Sequence, residues 1–148
     1  MPASWVSNAA IARRQAWENR LTSLGRDVPR VLIGDWTPES GYRAGLELAE
    51  TPGVSAVFVA NDQMALGVLR AFHEKGIAVP GHVSVVGFDD MAESAQFWPP
   101  LTTVHQHFEL AGSTAVSLLV DEIEGRDVNA GVRRIATDLV VRESTRPF

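Results

Sequence analysis

Apolar and polar positions alternate along the chain in two rhythms. Over 9–24 the apolar residues recur at helical spacing, which gives Ala9, Ala16, Trp17, Leu21 and Leu24 one shared stripe and makes Gly25 a stop signal. The run "RVLIGDW" over 30–36 reads as a strand. Thr37 and Pro38 then form a cap and first-turn pair for a second helix, whose Tyr42, Gly45, Leu46 and Ala49 share a face until "TPG" ends it. The run "VSAVFVA" over 54–60 has no polar alternation, as expected of a strand buried on both faces of a parallel sheet. A third helix is predicted over 63–75, with Ala65, Val68, Leu69 and Phe72 as its stripe and Gly76 as its stop. "VSVVGFDD" over 83–90 is a further buried strand and "LTTVH" over 101–105 a short one. A long helix over 108–124 closes at Gly125, and "RRIATDLVVRES" over 133–144 alternates enough for a half-exposed edge strand. This order predicts an α/β fold, a mostly parallel sheet with helices on both faces.

Bulk properties narrow the partners. A chain of 148 residues with 45% hydrophobic and 21% charged residues suits one domain with one core. Its formal charge of −5 has the wrong sign for a surface that must neutralise phosphates, so the chain by itself is not expected to grip DNA. It has no cysteine, and its four histidines give no pair at helical metal-ligand spacing. No metal and no cofactor are expected. The N-terminal "MPASWVSNAAIARRQ" has neither a basic head nor a long apolar run, and no segment reaches the roughly 20 apolar residues of a membrane span. The expectation is a cytoplasmic protein without a membrane partner.

Ligands of open parallel sheets bind at the carboxyl ends of the strands. Those ends carry Asp35 and Trp36, Asn61 and Asp62, Asp89 and Asp90, and His105, Gln106 and His107. An aromatic plane can pack on the C–H face of a sugar while carboxylates accept from hydroxyls and amides both donate and accept. The mixture suits a polyhydroxylated ligand.

Each residue also has a plainer reading. Asn61 and Asp62 suit a helix cap, Asp89 and Asp90 a loop, Trp36 a core, and Arg13 a solvated helix face. His105 and His107 face one side if extended, but no third metal ligand is in range. Asp89 with His105 or His107 would make an acid–base pair. There is, however, no G-x-S-x-G elbow, no G-x-x-x-x-G-K loop and no G-x-G-x-x-G after a strand, so the residues give no support to an enzyme.

Three motifs in order, "ANDQMALG", "VSVVGFDD" and "PPLTTV", strongly resemble the C-terminal half of the lactose-repressor (LacI/GalR) family of bacterial transcription regulators. The resemblance extends over about 7–146. It implies a periplasmic-binding-protein-like (type I) C-terminal lobe, a sugar-like effector, and operator DNA bound through a helix-turn-helix domain that this chain lacks. By resemblance the effector-binding residues are Asn61, Asp89, Gln106, Arg13 of "RRQAW", Trp36 of "GDW" and Phe108. Ile11 stands where many members have another arginine, and Ala16 replaces the usual glycine. The alternative is a fragment of a periplasmic-type sugar-binding transport protein.

The resemblance further implies that 1–148 is an incomplete core. A central strand between 30–35 and 55–60 belongs to the missing part, and about 107–148 contains segments that normally cross to the other lobe. A homodimer is expected through the helix over 63–75 and the loop before "PPLTT", with Met64, Val68, Phe72, Phe97, Trp98 and Pro99 at the interface, and 108–148 as the segment free to exchange between copies.

Overall fold

The computed structural model describes residues 7–126 and 131–147; residues 127–130 and Phe148 of the expected crossing segment lie outside them. Helix α1 (Asn8–Ser23) begins where the Ser7 hydroxyl accepts from the Ala10 backbone N–H at 3.1 Å. Its apolar stripe is not covered. No residue of α1 is buried, and only Trp17 and Leu21 of the stripe are half-buried. Spacing dictates which side chains share a face, whereas burial needs an element opposite that face.

The strand expected over 30–36 does not form, and Ile33 is 81% exposed there. A strand requires a neighbour for its backbone donors and acceptors. Strand β1 (Ala56–Phe58) gives its pairing to β2 (Ser84–Val86), parallel, with Val57 opposite Val85. Isolated parallel bridges, Val86 to Thr102 and Asp89 to His105, carry the sheet on to β3 (Thr103–Gln106). Strand β4 (Thr137–Val140) then pairs antiparallel with β3, Val104 facing Leu139. The strands are thus parallel except at the β4 edge; β1 and β2 are shorter than the apolar runs that contain them, and β3 ends one residue beyond its predicted run, at Gln106.

Helix α2 (Pro38–Ala49) has Thr37 as its cap, accepting from Ser40 N–H at 3.2 Å, and proline in its first turn. It packs against α3 (Asp62–Glu74), the most buried helix. The approach is so close that a Cβ on Gly67 would collide with the Pro38 carbonyl and the Tyr42 backbone nitrogen. Val68, Leu69 and Phe72 of α3 join Val83, Val85 and Leu101 in the core. Burying a side chain such as Phe72 contributes about 1.5–3 kcal/mol.

This packing reassigns part of the expected dimer face. Met64, Val68 and Phe72 lie in the chain's own core, because the apolar stripe of α3 faces α2 and the sheet, and Phe97 of the loop after β2 packs into the same core. Trp98, 85% exposed, and the half-exposed Pro99 are the surface members. Helix α4 (Phe108–Ile123) carries no buried residue. The chain end, in contrast, is held on its own sheet: the buried Ser144 hydroxyl donates to the Val85 carbonyl at 2.6 Å and accepts from Thr102 N–H at 2.7 Å.

Asp62 is wholly buried and accepts from Ser94 Oγ at 2.6 Å, Thr103 Oγ1 at 2.6 Å and Met91 N–H at 3.0 Å. Asp62→Ala would leave three donors without an acceptor, so it should lower the unfolding free energy by about 3 kcal/mol or more. Urea denaturation measures this; a loss below about 1 kcal/mol would show that the carboxylate does not hold these segments together.

Candidate functional site

The carboxyl ends of β1, β2 and β3 lie side by side, and α1 and the turn before α2 reach over them. Arg13 extends from α1 to this rim, donating from Nη1 to the Ala60 carbonyl at 2.5 Å and from Nη2 to Asp89 Oδ1 at 3.4 Å. Gln106 donates from Nε2 to the same Asp89 oxygen at 2.6 Å. Sequence-predicted Arg13, Asp89 and Gln106 therefore meet directly. These bonds use two of the five guanidinium donors.

Aromatic rings enclose the arginine. Its guanidinium carbon lies 3.8 Å from the Phe88 ring centroid and 5.7 Å from that of Trp36. Trp36 is held by Asn61, whose Nδ2 donates to the Trp36 carbonyl at 3.1 Å while its Oδ1 caps α3 by accepting from Met64 N–H at 3.0 Å. Asn61 thus fills the capping role and serves the rim at once. Phe108, 62% exposed at the start of α4, stands apart from these contacts.

Three rim residues have left-handed backbones: Trp36 at φ 72°, Asp89 at φ 117° and Asp90 at φ 54°. For residues other than glycine this is strained, and such strain clusters at binding sites. In this conformation the two aspartates have different partners. Asp89 meets Arg13 and Gln106, whereas Asp90 accepts from Arg142 Nη2 at 2.7 Å and lies 2.9 Å from His105 Nδ1. His105 therefore pairs with Asp90 rather than Asp89. His107 pairs with Asp138 at 2.8 Å, and the two imidazoles stand edge to face with centroids 4.7 Å apart. Among the described residues no group of three or more histidines and acids is placed to hold a metal.

The carboxyls shift in opposite directions. Burial pushes Asp89 above the ordinary 3.8, outweighing the Arg13 charge and the Gln106 hydrogen bond that favour its ionised form. Burial also pushes Asp90 upward, but hydrogen bonds from Arg142 and His105, with their charges, hold it below 3.8.

A fold of this kind has known counterparts. Residues 6–145 match the model of the periplasmic binding protein-like domain. The chain belongs to this family. Within it, the LacI/GalR resemblance holds. The lactose operon repressor of Klebsiella pneumoniae is 41% identical over 148 residues, covering 99% of this chain and 41% of the repressor. The regulator CelR of Thermobifida fusca is 39% identical over 139 residues, covering 92% of this chain and 41% of CelR. A lac repressor dimer bound to operator and the anti-inducer ONPF superposes with TM-score 0.87 at 38% identity, over 93% of this chain and 48% of that one. A CelR–cellobiose complex gives TM-score 0.84 at 38% identity, over 91% and 42%. The family member in hand spans about two-fifths of the length of these curated relatives, which are transcriptional regulators by name and not enzymes.

Sequence reasoning missed Phe88, the Ala60 carbonyl and Arg142. Phe88 was legible only as a strand residue, a backbone carbonyl leaves no compositional signal, and Arg142 lies 52 residues from the Asp90 it binds.

The opposed shifts predict opposed pH dependences. Asp90, lowered on folding, contributes stability above about pH 3.8 that is lost as the pH falls through its folded value. Asp89, raised on folding, favours the folded state below that pH and loses this contribution as the pH rises through its folded value. In urea unfolding between neutral pH and about pH 3, the deficit of Asp90→Asn relative to wild type should shrink on acidification, while wild type should gain on Asp89→Asn. Parallel drifts of the two variants would refute the assignment.

Proposed function

We propose that this chain is part of the effector-binding core of a LacI-type transcriptional regulator, and that the effector is sugar-like. The convergence of Arg13 and Gln106 on Asp89, with the Trp36 ring 5.7 Å from the Arg13 guanidinium, carries the reading. It joins unused guanidinium donors, a carboxylate acceptor and an aromatic plane, which together match the hydroxyls and C–H face of a sugar. The second Asn61 amide N–H is a further donor, and the exposed Phe108 ring offers another apolar surface.

The relatives support the class of ligand: CelR is known with cellobiose, and a LacI family regulator from Lactobacillus casei, 26% identical with TM-score 0.79, with sucrose. Their names favour regulators over the transport-protein alternative. In this reading operator DNA is bound through a domain outside this chain, in the cytoplasm, and ligand occupancy controls that binding. Copies pair as homodimers through the face bearing Trp98 and Pro99, beside a groove of about 690 Å³ at the end of α3. No helix among the described residues is long and apolar enough to cross a membrane.

Calorimetric titration of the intact regulator with lactose, cellobiose and sucrose tests the site. Asp89→Ala should cost about 1.5–3 kcal/mol, a tenfold to hundredfold loss of affinity, with a loss of the same order for Arg13→Ala. Titrations that both substitutions leave unchanged would sink the assignment. Light scattering at micromolar concentration tests pairing: wild type should show a dimer mass and Trp98→Asp a monomer. Trp98 is the informative position because Phe97 belongs to the core, where a charge would disturb the fold itself. A wild type that stays monomeric removes the proposed interface.

A further inference from the structure

We propose that Phe88 is a positioning residue of the effector site, its ring holding the Arg13 guanidinium in place; this rests on the reading of Arg13 as an effector contact. Arg13 comes from α1, which has no buried residue, so packing of its helix does little to immobilise a long side chain. Its fixed points lie at the guanidinium end. The contact to Asp89, at 3.4 Å, is long for a charge-assisted hydrogen bond, which normally spans about 2.7–2.9 Å. The bond to the Ala60 carbonyl holds one nitrogen and leaves rotation about that contact free. The Phe88 face, 3.8 Å from the guanidinium carbon, supplies the remaining constraint.

Phe88 is itself buttressed. Phe58 meets it edge to face, with centroids 6.4 Å apart and planes at 73°. Its backbone is also pinned, because the Phe88 carbonyl accepts from Asp62 N–H at 2.9 Å at the start of α3. The ring thus stands on a backbone tied to the buried first turn of α3 and steadies a residue that comes from a helix with no buried side chain. A planar guanidinium can lie on an aromatic face and still present donors at its edge, which a lysine ammonium cannot reproduce. Phe88 acts on the ligand through Arg13.

Two measurements test this. In proton spectra of the chain, the Arg13 δ-methylene should show an upfield ring-current shift that survives Phe88→Tyr and shrinks in Phe88→Leu to what the more distant Trp36 ring supplies; an unshifted wild-type signal, or one that Phe88→Leu leaves unchanged, overturns the proposal. In calorimetry of the intact regulator with the tightest binder among lactose, cellobiose and sucrose, Phe88→Leu should weaken binding by about three- to thirtyfold. Phe88→Tyr should restore it, and Phe88→Leu should cost nothing further in an Arg13→Ala background. A Phe88→Leu penalty that persists in that background overturns the proposal, since the ring would then act on the ligand or the fold directly. Full binding by Arg13→Ala alone would instead overturn the effector reading beneath it, and this proposal with it. The two failures are told apart by which variant retains affinity.

Discussion

The buried carboxylate of Asp62 is the constraint on which the arrangement of this molecule depends. It sits in the first turn of α3, where the helix favours negative charge, and takes its hydrogen bonds from Met91, Ser94 and Thr103. A buried carboxylate is tolerable only when its lone pairs are satisfied. Because the donors come from the turn after β2 and from β3, satisfying Asp62 dictates how those segments approach α3. The space is made by Gly87, where a Cβ would run into the Asp62 carboxylate. A small residue in β2's extension and an acid in α3 are two halves of one requirement.

The rim inherits its geometry from this constraint. Asn61, one residue earlier, closes the helix end and ties down Trp36, so the aromatic surface is positioned by the same turn that buries Asp62. The Phe88 carbonyl accepts from Asp62 N–H, and the strained Asp89 and Asp90 follow immediately. Left-handed backbones at such residues cost on the order of 1–3 kcal/mol each. The ion pairs and hydrogen bonds with Arg13, Gln106, Arg142 and His105 offset that cost.

Much of this was legible in the sequence, and the rest was hidden for definable reasons. The helices and the parallel sheet followed from apolar spacing, and the strand-end residues from the rule that ligands gather there. Arg13 could be singled out only through resemblance, since a lone arginine on a helix gives no sign of the Ala60 carbonyl and Asp89 it will meet. Spacing alone could not separate the roles of Asn61 and Asp62, because both suit a helix cap; resemblance singled out Asn61, and packing makes Asn61 the cap and Asp62 the wholly buried acid. The strand over 30–36 failed for a different reason: apolarity marks what a segment would bury, but the ladder partner must be present. The uncovered stripe of α1 and the exposed face of α4 follow the same logic.

The adjacency of Asp89 and Asp90 has a mechanical consequence. Each is held by side chains from other elements, and both have backbones with little freedom to relax separately. In the proposed reading, a ligand that displaced Asp89 would have that displacement accommodated at Asp90 or resisted by it. Asp90 is bound to Arg142, which also donates from Nη1 to the Leu101 carbonyl and from its backbone N–H to the Thr102 hydroxyl oxygen. Arg142 and Glu143 line the groove beside Trp98, so the chain of direct contacts from Arg13 ends at the face through which copies are proposed to pair. In that reading the positive φ angles matter: a loop in the ordinary regions would absorb a ligand's push by local rotation, whereas residues other than glycine at positive φ have fewer rotations open to them.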